Sequence, residues 1–92
     1  MTSLELRIVA WHEQKYGTGV NLAKTYRKLL EEVGEIGQAL IVGDADNARE
    51  EIGDVAVILF HLLRVVAPGD SLTDAMQAAV EKCERRTREG KA

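Results

Sequence analysis

The chain reads as an all-α domain of four helices. Apolar residues recur every three to four positions, no segment shows the period-two alternation of a half-buried strand, and a single proline interrupts the pattern. At 92 residues it forms one domain, residues 1–92, without a linker, an internal repeat or a low-complexity tract. One copy buries only a modest core, so association of copies is expected.

The first helix is expected from Ser3 to Lys15, with Leu4, Ile8 and Trp11 on one stripe, and ends at the glycines of Tyr16-Gly17-Thr18-Gly19. The second, from Asn21 to Val42, carries Leu22, Tyr26, Leu29, Val33, Ile36 and Leu40 on its core stripe. Gly43-Asp44-Ala45-Asp46 supplies a stop followed by N-cap residues. The third runs from Asp46 to Val66, since Pro68 disfavours a helical conformation in the residue before it. Its stripe is Ala48, Val55, Leu59 and Leu62, but from Val55 to Leu63 nearly every position is apolar, and a helix apolar all round is buried all round. The second face, Val57 and Phe60 with Ala56, is expected on another subunit, in a homodimer or a dimer of dimers (a homotetramer). Ser71-Leu72-Thr73-Asp74 resembles a capping box and opens a fourth helix that continues to Arg88, with Leu72, Met76, Ala79, Val80 and Cys83 as its stripe and Cys83 as a core residue.

Charge and composition exclude several functions. With a net charge of −3 there is no basic field for duplex DNA, so no nucleic-acid partner is expected. The apolar run from Val55 to Val66 contains His61 and Arg64 and is too short to span a bilayer, so no membrane association is expected. A lone cysteine and the lack of a signal-peptide pattern point to the cytoplasm.

The acidic residues carry the chemistry. Eight of the fifteen lie between Glu31 and Asp54. Among them Glu32-Val-Gly-Glu35 and Glu51-Ile-Gly-Asp54 share one spacing on either side of a short turn. Residues three apart share a helix face. At about 100° per residue, Glu32 and Glu35 border the stripe of Leu29 and Ile36, Glu51 and Asp54 border that of the third helix, and Glu31 and Glu50 point outward. If the helices fold back near residue 44, the four carboxylates Glu32, Glu35, Glu51 and Asp54 meet near the bundle core. Together they repel and raise one another's pKa, so as anions they need cations among them. Hard oxygen ligands suit Mg²⁺, which binds phosphate oxygens, polarises phosphorus and generates hydroxide from bound water. Gly34, Gly37 and Gly53, costly within helices, suggest close helix approach.

The run Lys28-Leu-Leu-Glu-Glu-Val-Gly-Glu-Ile-Gly-Gln-Ala-Leu, followed by Glu50-Glu-Ile-Gly-Asp-Val, resembles the EExxE…ExxD signature of the MazG-like all-α nucleoside triphosphate pyrophosphohydrolases, across about residues 8–66. The resemblance implies a helical bundle assembled as a dimer or tetramer that hydrolyses an NTP or dNTP to the monophosphate and pyrophosphate. It also implies a house-cleaning role in the nucleotide pool. The positions matching the family's Mg²⁺ ligands are Glu32, Glu35, Glu51 and Asp54, with Mn²⁺ as a substitute ion and Glu31 and Glu32 as the catalytic doublet. Family members carry basic residues late in the last helix, which here puts Lys82 and Arg86 on the triphosphate, and an early tryptophan, here Trp11, on the base. His12, Lys15 and His61 are weaker candidates for the site. Phosphoribosyl-ATP pyrophosphohydrolase, suggested by Phe60-His61-Leu62-Leu63, and a non-catalytic dimerisation or regulatory module are the alternatives.

Overall fold

A computed structural model describes residues 1–90. Those residues form four α-helices and no strand: α1, Ser3–Tyr16; α2, Leu22–Val42; α3, Ala45–Val66; and α4, Leu72–Arg88. Each opens on a short polar side chain that takes a backbone N–H of its own first turn. Thr2 Oγ1 accepts from Glu5 at 3.1 Å, Asn21 Oδ1 from Lys24, Asp44 Oδ1 from Asn47 and Ser71 Oγ from Asp74, each of the last three at 3.0 Å. Gly43 ends α2 with φ +76°, a conformation that favours glycine. Because only Gly43 and Asp44 separate the two long helices, α3 must run back antiparallel along α2.

The α2–α3 hairpin is the centre of the fold, and α1 and α4 attach at its sides. At the α1–α4 junction, the buried Glu5 carboxylate completes a capping box with Thr2 through Oε1 and accepts the Leu72 N–H at 2.8 Å through Oε2. The expected capping box at Ser71–Asp74 is only half built: Ser71 Oγ accepts the Asp74 N–H, but the Ser71 N–H goes to Asp70 Oδ1 at 3.0 Å instead of to Asp74, and the next orphan donor, the Leu72 N–H, is met by Glu5.

The expected apolar stripes are only partly covered within one chain. Buried apolar residues are Ala39, Ala48, Ile58 and Phe60, and an equal number of polar ones, Glu5, Glu32, His61 and Ser71, are buried with them. On α2 the line facing α3 runs through Glu32 and Ala39, flanked by Leu29 and Ile36, while Leu22, Tyr26, Val33 and Leu40 stay exposed. These four lie roughly 80–120° around the helix from Glu32, beyond the width that one neighbour covers. Leu59 on α3 and Met76, Val80 and Cys83 on α4 are exposed as well, which corrects the expectation of a core cysteine. Phe60 corrects the opposite way: only 1% exposed, it is buried by its own chain and cannot be the face reserved for another subunit. The radius of gyration, 15.5 Å, exceeds the roughly 12 Å of a compact chain this long. A Cβ added at Gly34, Gly37 or Gly53 would meet nothing within 4 Å, so close packing within the chain does not explain these glycines.

Candidate metal centre

Glu32 and Glu35 on α2 meet Glu51 on α3, with one oxygen from each lying within 4.8 Å of the others. The hairpin sets this register, since residues 35 and 51 stand at similar distances from the turn. Glu32 is buried and its Oε1 is paired with Lys28 Nζ at 3.0 Å. Hydrogen bonding to Glu51, followed by that to Lys28, holds the Glu32 carboxyl below its ordinary pKa. Glu51 bears the opposite consequence: hydrogen bonds to Glu32 and Glu35, with desolvation and their charges, push it up to about 8. At neutral pH Glu51 is therefore mostly protonated beside the Glu32 carboxylate. Glu51 Oε2 is buried with no hydrogen-bond partner. A convergent set of hard oxygens, one orphaned and one protonated to relieve repulsion, suits a divalent cation.

Asp54 stands apart from this trio. It is exposed, one turn along α3 from Glu51, and lines the same groove as Glu32. Glu31 is exposed and outside the cluster, as its helical position implies.

The groove, of about 1300 Å³, runs from these acids towards α1. Its walls carry cations, Arg7, Lys15, Lys24 and Lys28. They also carry aromatic rings. Trp11, 52% exposed, lies edge-on to Tyr16 at 6.1 Å between centroids, and Lys15 Nζ is 5.3 Å from the centroid of each of those rings. Trp11 is thus at the groove rather than in a core. Lys82 and Arg86 are exposed on α4 and do not line it. The basic residues that do were mostly overlooked in the sequence, although Lys24, Lys28 and Glu32 recur at four-residue spacing on one face of α2.

Beyond Asp54, His61 is buried at the groove wall. Arg64 Nε donates to His61 Nδ1 at 3.1 Å, and Arg64 Nη2 lies 3.4 Å from His12 Nδ1 on α1. The two imidazole rings are 4.3 Å apart.

The model of the MazG nucleotide pyrophosphohydrolase domain matches residues 21–90, which covers α2 to α4 and with them all the clustered carboxylates. The chain belongs to this MazG family. No curated protein and no solved structure matches it. Family membership makes the chain a nucleotide pyrophosphohydrolase at the level of class, and within the described residues no helix is long and apolar enough to cross a membrane.

Proposed function

We propose that this MazG-family chain is a Mg²⁺-dependent pyrophosphohydrolase that converts an NTP or dNTP to the monophosphate and pyrophosphate in house-cleaning of the cytoplasmic nucleotide pool. The observation that carries the reading is the convergence of Glu32, Glu35 and Glu51 beside a groove lined with both cations and aromatic rings. Acids, cations and rings together match the three parts of a nucleoside triphosphate and its metal. Glu32, Glu35 and Glu51 would hold the Mg²⁺, or Mn²⁺ in its place, with Asp54 as the fourth ligand from the same groove. The bound ion supplies charge neutralisation at phosphorus and a water acidic enough to act as hydroxide.

The chain's own residues do the rest. Lys24 and Lys28 neutralise the triphosphate along α2, and Trp11 and Tyr16 stack on the base. Water adds to phosphorus, the phosphoanhydride bond breaks, pyrophosphate leaves, and a carboxylate of the Glu31–Glu32 doublet takes the proton. Lys82 and Arg86 reach the phosphates only from a neighbouring subunit, since within one chain they lie away from the groove. A homodimer or dimer of dimers is supported by the uncovered apolar faces of α2, α3 and α4.

The test is pyrophosphate release from a panel of canonical and modified NTPs and dNTPs, with phosphoribosyl-ATP included, with and without Mg²⁺. Mg²⁺-dependent release from nucleoside triphosphates is expected. Turnover of phosphoribosyl-ATP alone would move the reaction to histidine biosynthesis, and silence across the panel from folded protein would make the chain a non-catalytic dimerisation or regulatory module.

A further inference from the structure

The four cations of the groove wall are not equivalent. Among the described residues, Lys28 is the groove cation paired with an acid, its Nζ 3.0 Å from Glu32 Oε1. That acid is one of the three converging carboxylates, and Lys28 stands one turn before it on α2. An ammonium at this distance neutralises the carboxylate and repels any cation that the same carboxylate would hold. Lys28 and a divalent ion therefore compete for Glu32.

Exposure decides which of the pair gives way. The Glu32 side chain is 8% exposed and converges with Glu35 and Glu51, whereas the Lys28 side chain is 60% exposed and carries its charge on a flexible stem. An ion pair so open to water is weak and yields to a doubly charged ion. The ammonium stays nearby when it lets go, because Lys28 lines the groove beside the acids.

Resting on the metal and nucleotide reading above, we infer that Lys28 is an exchangeable counter-ion: it holds the Glu32 carboxylate until a divalent cation displaces it, and the released ammonium then meets the triphosphate. One side chain thereby couples metal loading to phosphate binding. Without metal the ammonium is engaged with Glu32 and adds little to the attraction for an anion. With metal, the two groups that neutralise the phosphates become available together.

Three measurements on the full chain test this, at about pH 8.5, where protons compete least for the carboxylates. By calorimetry, Lys28→Met is expected to bind Mg²⁺ about fivefold more tightly than wild type, as when a partly exposed ion pair is removed as competitor. Lys24→Met loses the same charge about 12 Å further along α2, and in about 0.15 M salt its Mg²⁺ affinity is expected to stay within about twofold of wild type. In ¹³C-lysine-labelled protein the Lys28 Cε signal, assigned by its loss in Lys28→Met, is expected to move on adding Mg²⁺ while that of Lys24 does not. Inorganic tripolyphosphate with Mg²⁺ in excess is expected to bind Lys28→Met about tenfold more weakly than wild type, opposite in sign to the metal alone. Equal or weaker Mg²⁺ binding in a folded Lys28→Met, an equal gain in Lys24→Met, or a Lys28 signal unmoved at saturation would overturn the exchange. Tripolyphosphate bound as tightly by Lys28→Met as by wild type would overturn the hand-over to phosphate. Mg²⁺ bound by neither wild type nor Lys28→Met is the separate result in which the metal reading itself fails and takes the inference with it.

Discussion

Glu5 and Leu72, 67 positions apart, are joined by a hydrogen bond of 2.8 Å from the Leu72 N–H to Glu5 Oε2. One buried carboxylate thereby caps α4 while its other oxygen accepts the Thr2 N–H at the start of α1. Glu5→Gln replaces one acceptor oxygen by a donor amide facing a backbone donor. Leaving such a group unsatisfied costs about 1–3 kcal/mol. A lower Tm is expected for Glu5→Gln at pH 7, with the α2–α3 carboxylate site unchanged, as checked by thermal unfolding followed by circular dichroism.

The same bonds set an acid limit. The hydrogen bond from Leu72, then that from Thr2, holds the Glu5 carboxyl below its ordinary 4.5. A group whose folded pKa is depressed contributes stability above its unfolded pKa and loses it as pH falls through the folded value. Wild type is therefore expected to lose stability below about pH 4.5 more steeply than Glu5→Gln. Parallel Tm–pH curves in that range would show that Glu5 is not the group responsible.

Glu51 behaves in the opposite sense. Its pKa is raised to about 8 by Glu32 and Glu35, so in metal-free protein its contribution is complete below about 4.5 and is lost as pH rises through 8. With EDTA present, Tm is expected to decline across that window, and less so in Glu51→Gln, which mimics the protonated acid. Mg²⁺ should reverse the decline in wild type and release protons on binding near neutral pH, measurable by calorimetry in buffers of different ionisation enthalpy.

Local signals made the helices legible. Thr2-Ser-Leu-Glu5 is itself a capping box that a sequence reading can find, and Asn21, Gly43, Asp44 and Ser71 mark helix ends. The acid pairs were legible because their spacing and the short turn together determine a register. Burial was not legible, because periodicity identifies an apolar face without saying which part of it a neighbour covers: Leu29 and Leu40 share a stripe, yet Leu29 is half-buried and Leu40 65% exposed. The contacts of Glu5 with Leu72 and of Arg64 with His12 cross between helices distant in sequence, and nothing local encodes them.

Leu22, Tyr26, Val33 and Leu40 form the uncovered part of α2's apolar stripe. If this face is buried between copies, Leu40→Asp places a charge in an apolar contact and is expected to yield smaller particles by sedimentation velocity, together with a lower Tm. An unchanged assembly in a soluble Leu40→Asp protein would move the interface off this face.

The carboxylates themselves are separable by substitution. Glu32→Gln and Glu51→Gln each remove a charge from the convergent trio, so both are expected to abolish turnover and Mg²⁺-dependent thermal stabilisation while the helical spectrum persists. Asp54→Asn is the more demanding case, because Asp54 lines the groove but stands outside the trio. A fourth ligand predicts that it too loses activity, by about 10²-fold or more, as expected when a group acting on the transition state is removed. Full activity in Asp54→Asn would reduce the ligand set to Glu32, Glu35 and Glu51. Glu31→Gln separates the remaining possibilities: Glu31 points into solvent, so a large fall in kcat with metal affinity unchanged would assign it to the attacking water, and wild-type kinetics would leave Glu32 as the sole catalytic member of the doublet.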